Sequence, residues 1–397
     1  MWIGILLNTL LAVVAVPAAL STLYLLILTA LSFRGVIPLC KERKLRFDII
    51  VPAHNEAVAI GRTVASLRRI NWPGDHFRVV VCADNCTDET ALNARTAGAH
   101  VVERQDPTRR GKGYALEFAF AISRLDAVAD AVAVVDADAE VSENFLEAIA
   151  ARLERGAFCV QVHYGVLNPL ASWRTRLITI AKGSFHIVRS RAREHLGLSC
   201  GIRGTGWCVT HKLLGDVPYR AFSLTEDVEY GIELGLAGYR VAYADEAHCD
   251  AEMVVSEAVA APQRARWEQG RFALVRSRTL PLLRKAIEGP SKVCLDLAVD
   301  LLVLPISYVS MNIVLLLACA SLSRLWTSDI SLRWLWLGVG CTLALTLYVV
   351  RGWQLSGIGL QGIADLARAP QFLLWKVRAI LLRRRSQQWE RTERERS

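Results

Sequence analysis

The sequence lacks the motifs that identify several large classes of nucleotide-binding and redox protein. No Gly-x-Gly-x-x-Gly follows the first apolar strand, and no Gly-x-x-x-x-Gly-Lys-Ser/Thr occurs. These absences argue against a dinucleotide-dependent oxidoreductase and against a P-loop NTPase. The ten cysteines form no Cys-x-x-Cys pair, and Cys82 with Cys86 would leave a zinc ion two ligands short. We therefore expect reduced cysteines that serve packing.

Charged residues are missing from three long stretches, which cover residues 2–33, 301–323 and 334–350. About 20 apolar residues suffice for a helix to cross a bilayer. We therefore expect one transmembrane helix within residues 1–34 and two more within residues 293–352. The first stretch is longer than the apolar core of a signal peptide, and no Lys or Arg precedes it, so a cleaved signal is disfavoured.

Basic residues flank these stretches unevenly. Five of them follow the first stretch: Arg34, Lys41, Arg43, Lys44 and Arg46. The positive-inside rule then predicts an N-terminus outside and a cytosolic chain after Arg34. The short loop 324–333 would lie outside, and the basic tail with Arg383 to Arg385 would return to the cytosol. The expected location is a bacterial inner or plasma membrane.

Between the first and second apolar stretches, residues 47–271 alternate apolar strands with amphipathic helices. This order predicts an α/β domain with a mainly parallel sheet and helices on both faces. Ligands of such sheets bind beyond the carboxyl ends of the strands. Polar residues cluster at three predicted strand ends: His54-Asn55-Glu56, Asp84-Asn85, and Asp136 with Asp138.

Two segments mix basic with apolar residues. They cover residues 272–292 and residues 363–385, the latter within the C-terminal region 353–397. Basic amphipathic helices of this kind lie flat on anionic lipid, although a solvated helix packed on the domain is the alternative. The net charge of +9 would suit nucleic acid. Because the basic residues gather at the membrane flanks and in the tail, we expect lipid as the partner and no nucleic acid.

Asp136-Ala-Asp138 follows an apolar strand and places two carboxylates on one side of it. Such close like charges favour a hard cation between them, so Mg²⁺ or Mn²⁺ is the expected ligand. Glu140 continues the same face and could add an oxygen. Solvated turn carboxylates are the alternative explanation.

Two further motifs are ambiguous when each is taken alone. Thr225-Glu226-Asp227 opens a predicted helix, where acidic residues also stabilise the helix dipole. Gln263-Arg264-Ala-Arg266-Trp267 combines guanidinium groups that match phosphate oxygens with an indole that can stack on a sugar. A basic helix that rests on lipid would carry the same residues.

The order of these motifs resembles that of family 2 glycosyltransferases of the membrane polysaccharide-synthase type. The resemblance covers residues 47–275, and 35 residues separate Asp227 from Gln263, as in that group. Its motifs are Asp84, Asp136-x-Asp138, Thr225-Glu-Asp227 and Gln263-x-x-Arg266-Trp267. Four loops also correspond: Val51-Pro-Ala-His-Asn-Glu56, Ala83-Asp-Asn-Cys-Thr-Asp88, Gly111-Lys-Gly113 and Gly204-Thr-Gly206.

The resemblance implies a GT-A fold, a nucleotide-sugar donor (a UDP-sugar is expected) and a Mn²⁺ or Mg²⁺ cofactor. Asp227 would be the catalytic base, Asp138 would bind the metal, and Asp136 would contact the metal or the ribose. Residues implied to bind the nucleotide sugar are Pro52, Asn55, Glu56, Asp84, Lys112, Asp136, Arg264 and Arg266. Residues implied to close over donor and acceptor are Glu226, Gln263 and Trp267.

A single carboxylate base opposite the leaving group gives displacement with inversion. One hypothesis is addition of a sugar to a membrane-associated saccharide or to a polyprenyl- or lipid-linked acceptor, in exopolysaccharide or cell-surface glycan synthesis. The alternative is a processive β-polysaccharide synthase like those of cellulose, chitin or hyaluronan. Three spans are too few to enclose a polymer channel, so that alternative needs an oligomer or an export partner.

Three polar residues stay open at this point. Asp296 and Asp300 stand one turn apart near the second apolar stretch, where they could contact acceptor or lie in the headgroup layer. His248 follows a predicted strand and could face the metal, although a histidine satisfied by its neighbours is the default.

Overall fold

The computed structural model describes residues 2–255, 257–325 and 328–368. The described chain forms two compact units that are interleaved in sequence. The sheet unit contains residues 34–175 and 193–298. The helical unit contains residues 1–33 and 176–192 together with the described residues after 298. A short segment from the middle of the chain therefore belongs with its two ends.

The sheet unit is built on one eight-stranded sheet with the order β3-β2-β1-β4-β7-β6-β8-β5. Its strands are β1 Phe47–Ala53, β2 Phe77–Asp84, β3 His100–Arg104, β4 Ala131–Val134, β5 Ala139–Val141, β6 Cys159–Val166, β7 Trp207–Thr210 and β8 Val241–Ala251. Neighbours among β3, β2, β1 and β4 pair in parallel, as does β6 with β8. β7 is antiparallel to β4 and β6, and β5 is antiparallel to β8.

The expected parallel sheet is thus confirmed for its first half, and the complete sheet is mixed. β7 runs backward because the chain reaches it at the carboxyl end of β4. There the Gly206 amide donates to the Val134 carbonyl at 2.9 Å, and the strand can only continue toward the other edge. The apolar pattern of β7 contains no information about this direction.

The helices follow in chain order. They are α1 Trp2–Ala30, α2 Ile60–Arg68, α3 Thr90–Thr96, α4 Lys112–Asp126, α5 Phe145–Leu153, α6 Trp173–Lys182, a π-helix Gly183–Val188, α7 Arg189–His195, α8 His211–Asp216, α9 Glu226–Leu236, α10 Glu257–Glu288, α11 Lys292–Leu302, α12 Ile306–Ser323, α13 Ser328–Ser356 and α14 Leu360–Leu366.

The core of the sheet unit is made by its central strands, which are covered on both faces. β1 is almost wholly buried, including the carboxylate of Asp48. That carboxylate accepts two hydrogen bonds from Arg78, at 2.6 and 2.9 Å, and one from the Ser123 hydroxyl. A buried charge with this many partners is tolerated, because its lost hydration is replaced.

All ten cysteines are free thiols.

The helical unit contains three helices that are long and apolar enough to cross a membrane, within α1, α12 and α13. The three expected spans are therefore confirmed as helices. The segment 176–192 packs with them although it is not apolar throughout. Gly183 lies so close to Gly352 that a methyl group on Gly183 would be 2.4 Å from the Gly352 carbonyl oxygen.

Arg189, in this segment, is almost fully buried and carries a network of polar contacts. Its Nη1 lies 2.7 Å from Asp300 Oδ1, and its Nε donates to the Tyr348 hydroxyl at 2.8 Å. That hydroxyl donates in turn to the Ser184 carbonyl at 2.8 Å. Asp296, in the sheet unit, lies 2.9 Å from Arg193 Nε. Both open aspartates thus have arginine partners.

One predicted boundary is different in the structure. The segment 272–292 was expected as a separate interfacial helix after a domain ending at 271, but α10 runs unbroken through that position and also carries Gln263 to Trp267. A new helix, α11, begins at Lys292. Gly270 and Pro281 lie inside α10 without ending it, and the helix ends at Glu288, directly before Gly289-Pro290. Of the second predicted interfacial helix, 363–385, the residues after 368 lie outside the described residues, as does the basic tail.

Candidate active site

The loops after β1 and β2 are joined at the carboxyl edge of the sheet. Asn55 and Asn85 both have positive φ angles, 55° and 50°. Asn55 Oδ1 accepts the Thr87 amide at 2.7 Å, and the Glu56 amide donates to the Thr90 hydroxyl at 2.7 Å. Asparagine tolerates this left-handed conformation better than most residues. Pro52, at the end of β1, pairs with Cys82 of β2, so the first two predicted motifs form one surface.

Asp84 ends β2 and is buried against an arginine that sequence reasoning did not identify. Arg104 Nη1 lies 2.6 Å from Asp84 Oδ1, and Arg104 Nη2 lies 3.1 Å from Asp106. The Asn85 side-chain amide also donates to Asp84 Oδ1, at 3.1 Å. Arg104 could have been predicted as the partner of Asp84 from its position at the end of β3, because β3 pairs in parallel with β2 and the two residues are opposite each other.

The Asp136-Ala-Asp138 motif forms the turn between β4 and β5. The Ala139 amide donates to the Asp136 carbonyl at 3.1 Å, and the Asp136 amide donates to the Thr205 hydroxyl at 2.9 Å. Glu140, the additional expected ligand, faces elsewhere, because its Oε1 lies 3.2 Å from Arg62 Nε. Glu140 is therefore engaged by an arginine, whereas Asp136 contacts Lys112.

Lys112, the first residue of α4, connects three of the predicted motifs. Its Nζ lies 2.5 Å from Asp136 Oδ1 and 3.7 Å from Glu226 Oε1, and it donates to the Gly204 carbonyl at 2.8 Å. The resemblance implied that motifs far apart in the sequence meet in the fold. The ammonium group of Lys112 contacts residues from three of these motifs.

Glu226 and Asp227 occupy the first turn of α9. This is the position at which acidic side chains also stabilise the helix dipole, although among the described residues the Thr225 side chain makes no capping hydrogen bond with this helix. Burial raises the pKa of Glu226 to about 7, and the charge of Asp227 raises it as well, against the lowering effect of Lys112. Burial also raises the pKa of Asp227, against the lowering effects of Lys112 and Arg203.

Tyr164, on β6, lies among the carboxylates and was not identified from the sequence. Burial raises the pKa of its phenol well above the ordinary value, and the charges of Asp136, Asp138 and Asp227 raise it further. The charges of all three aspartates therefore act on this one side chain. A tyrosine in a strand of mixed polarity carries no sequence signal of its own.

The loop before β7 is fixed by residues that also escaped prediction. Gln161 donates to the Thr205 carbonyl at 2.8 Å, and its Oε1 accepts the Arg203 amide at 2.8 Å. Arg203 is 7% exposed. Since its charge lowers the pKa of Asp227, Arg203 belongs to the electrostatic environment of the site.

The motif Gln263 to Trp267 lies on α10, which packs against the start of α9. A methyl group on Gly270 would lie 2.5 Å from Thr225 Cγ2, and Arg278 forms a 2.8 Å ion pair with Glu233. Burial lowers the pKa of Arg266, and the charge of Glu226 opposes this shift. Gln263 and Arg264 are partly buried, and Trp267 is 43% exposed.

His248 lies on β8 and pairs with Asp250 at 2.8 Å. Its hydrogen bond to Asp250 raises its pKa, against the effect of burial. This is the satisfied histidine of the default interpretation.

The two aspartates of the turn fit a cation that is completed by substrate. Within residues 2–255, 257–325 and 328–368, no group of three or more His, Cys, Asp or Glu side chains is arranged to hold a metal ion. Mg²⁺ in proteins commonly uses one or two carboxylates together with substrate phosphates and water. Asp136 and Asp138, the two aspartates of the turn between β4 and β5, would supply a donor set of this kind.

Comparison with known proteins gives a consistent result. The family described as "glycosyltransferase like family 2" matches residues 45–270. β-Monoglucosyldiacylglycerol synthase of Synechocystis sp. is 27% identical over 234 residues, which are 56% of this chain and 47% of the relative. The 4,4'-diaponeurosporenoate glycosyltransferase of Staphylococcus aureus is 35% identical over 134 residues, 31% of this chain and 35% of the relative. The chain thus spans about half the length of the first curated relatives that it matches.

Among solved structures, a mannosyltransferase from Pyrobaculum calidifontis, in complex with GDP-Man and Mn²⁺, is similar with a TM-score of 0.57. The identity is 18%, and the match covers 93% of this chain and 99% of that chain. At this identity the likeness concerns the fold, which is GT-A-like.

Proposed function

The chain belongs to glycosyltransferase family 2, and on that premise we propose that it transfers a sugar from a nucleotide-sugar donor to an acceptor held in a membrane. One observation carries the proposal. The Lys112 ammonium lies within 3.7 Å of both Asp136 and Glu226, which belong to the two acidic motifs. Displacement of a nucleoside diphosphate requires cationic groups and a carboxylate base in one place.

Asp227 is the proposed base that removes the proton of the acceptor hydroxyl. Its raised pKa suits this task, because a base is most effective when its pKa approaches the working pH. Lys112 and Arg266 provide positive charge for the diphosphate that leaves. A divalent cation held by Asp136 and Asp138 would stabilise charge on that leaving group. Attack opposite the leaving group inverts the anomeric carbon, so an α-linked donor gives a β-linked product.

Asp84 with Arg104, together with the loop from Pro52 to Glu56, forms the proposed surface for the nucleotide. These groups end adjacent parallel strands, where ligands of α/β sheets bind. Gln263, Arg264 and Trp267 are proposed to close over donor and acceptor from α10. The solved mannosyltransferase of similar fold is in complex with GDP-Man and Mn²⁺, which supports a nucleotide-sugar donor and a divalent cation for this chain.

The proposed acceptor is a lipid or a lipid-linked saccharide. One relative is named as a synthase of a glucosylated diacylglycerol, and the described part of this chain has three helices long and apolar enough to cross a membrane. A place in exopolysaccharide or cell-surface glycan synthesis is compatible with a lipid-linked acceptor. Processive polymer synthesis is the second candidate, favoured by the Gln-x-x-Arg-Trp motif, and it would need an oligomer or an export partner to form a channel.

The test is a transfer assay with the full chain in lipid nanodiscs. Radiolabelled UDP-glucose, UDP-GlcNAc and GDP-mannose are supplied with Mn²⁺ or Mg²⁺ and a bacterial lipid extract, and products are sized. We expect one labelled lipid product, its loss in EDTA, and a fall of about 10²–10⁴-fold in kcat for Asp227→Asn. Asp75→Asn, which alters a carboxylate that is 80% exposed, is the matched control. Full activity of Asp227→Asn or full activity in EDTA would contradict the mechanism, and long products would select the polymerase.

A further inference from the structure

Lys112 and a divalent cation would compete for the same carboxylate. The Lys112 Nζ lies 2.5 Å from Asp136 Oδ1, and Asp136 is one of the two aspartates proposed to hold the metal. A carboxylate oxygen at this distance from an ammonium group already has a strong charge-assisted partner. A metal ion that binds Asp136 must either displace the Lys112 ammonium from the carboxylate or bind close to that positive charge, which repels it.

The contacts of Lys112 hold its ammonium group between the two acidic motifs. Besides Asp136, the ammonium lies 3.7 Å from Glu226 Oε1. The Gly204 carbonyl accepts a further hydrogen bond from it at 2.8 Å. In the described structure, then, one lysine is the positively charged neighbour of both Asp136 and Glu226.

Lysine is suited to a partnership that can be exchanged. Its ammonium is a point charge on a flexible four-carbon stem, without the fixed fork of arginine. Lys112 is the first residue of α4, and its stem projects from the start of that helix. Phosphate oxygens of a nucleoside diphosphate at this edge would give the ammonium a second set of acceptors.

We propose that Lys112 is an exchangeable counter-ion that neutralises Asp136 in the metal-free protein and is displaced from it when a divalent cation binds. Nucleoside diphosphate would receive the displaced ammonium, so that metal and nucleotide bind cooperatively. The inference rests on the proposed function only in taking Asp136 as a metal ligand. Its consequence is that the protein holds metal weakly until a nucleotide is present.

The experiment measures Mn²⁺ binding to the full chain in nanodiscs, without any sugar donor, by the EPR signal of free Mn²⁺. Titrations are run with and without UDP for the wild type and for Lys112→Met. We expect Lys112→Met to bind Mn²⁺ alone about tenfold more tightly, since a neighbouring positive charge has been removed. The factor by which UDP tightens Mn²⁺ binding should fall by about tenfold or more.

Two control variants separate charge from side-chain loss. Lys112→Arg keeps the positive charge and should bind Mn²⁺ alone no more tightly than the wild type. Arg109→Met removes a positive charge three positions earlier, from a side chain 52% exposed and paired with Glu117, and should leave both affinities unchanged. Equal or weaker Mn²⁺ binding by Lys112→Met would overturn the proposal, and so would an equal effect of Arg109→Met.

A measurement on the unmutated protein covers the case in which Lys112→Met does not fold. Acetylation of Lys112 by acetic anhydride is followed by mass spectrometry, with and without Mg²⁺. Displacement from Asp136 should increase the acetylation rate several-fold, and an unchanged or lower rate would refute displacement. No sugar is transferred in either measurement, so their results do not depend on the transfer assay. If the protein transfers sugar but UDP does not tighten its Mn²⁺ binding, this inference is wrong and the proposed function is unaffected.

Discussion

The pKa of Glu226 is set by two opposing effects: burial raises it and the charge of Lys112 lowers it. Glu226 is 15% exposed at its side chain, and its pKa is raised to about 7 although Lys112 is 3.7 Å away. The folded protein therefore binds a proton at Glu226 at a pH where the unfolded chain does not. This difference links stability to pH.

We predict that the metal-free protein becomes more stable as the pH falls from about 7 toward 4.5, the ordinary value for glutamate. The raised folded-state pKa means that this contribution is fully present below 4.5 and is lost as the pH rises through about 7. Thermal midpoints in EDTA, measured across this range, should show a smaller rise for Glu226→Gln than for the wild type.

The matched control for that prediction is Glu42→Gln, which alters a carboxylate 62% exposed at its side chain and should leave the pH dependence unchanged. Identical slopes for Glu226→Gln and the wild type would show that Glu226 does not titrate differently on folding.

Sequence motifs predicted which acidic residues meet, because each followed a strand or opened a helix. Asp136 and Glu226 come within reach of Lys112 in the structure, as the resemblance implied. Arg104 and Tyr164 could not be predicted in the same way. Their roles depend on which strands are neighbours, and neither has a motif around it.

At the scale of elements, the contact between α9 and α10 depends on a glycine. We predict that Gly270→Ala lowers kcat/KM by about 10–100-fold, because a methyl group 2.5 Å from Thr225 Cγ2 must push α10 away from the acidic motif, and misplacement of about 1 Å can cost that much. Gly61→Ala in α2 is the control, since its methyl group would meet none of the described atoms within 4 Å. Comparable activity of the two variants would show that this contact does not position the site.

The ion pair in the helical unit allows a second prediction at this scale. Arg189→Met should destabilise the unit by about 3–5 kcal/mol, because the buried carboxylate of Asp300 loses its 2.7 Å partner. The double variant Arg189→Met with Asp300→Leu should regain much of that loss. SDS-induced unfolding in mixed micelles measures both.

Arg284→Met, on a side chain that is 75% exposed, should change unfolding by no more than about 1 kcal/mol and serves as control. If the single variant Arg189→Met and the double variant with Asp300→Leu are equally unstable, the unpaired Asp300 carboxylate is not the cause of the lost stability.

Hydrophobic pattern predicted α1, α12 and α13 because long apolar helices have a strong composition signal. It did not predict that residues 176–192 pack with them. That segment contains Arg176, Lys182 and Arg189, and these charges interrupt every apolar run within it, so its sequence resembles that of a solvated helix. In the folded protein Arg176 pairs with Asp365 and Arg189 pairs with Asp300. These partners are distant in sequence, so the pattern of the segment alone does not show that its charges are paired.

At the scale of the whole molecule, the three candidate spans predict a topology that labelling can test. With an outer N-terminus, Leu325 lies in the outer loop and Cys40 lies in the cytosol. In a variant stripped of other cysteines, Leu325→Cys, at a site 73% exposed, should react with a membrane-impermeant maleimide in intact cells. Cys40 should react only after the membrane is opened, and the reverse pattern would invert the topology.

The interleaving of the two units has a consequence for how the chain is made. A ribosome releases Arg189 long before it releases Asp300 and Tyr348, the side chains that later surround it. During that interval the segment 176–192 lacks the later helices of its own unit, and the sequence of the sheet unit is interrupted at the same residues. A nascent chain stopped before α12 would therefore contain the described residues of the sheet unit, but its residues 2–33 and 176–192 would lack α12 and α13, which belong to the same helical unit, and would be exposed to quality-control proteases.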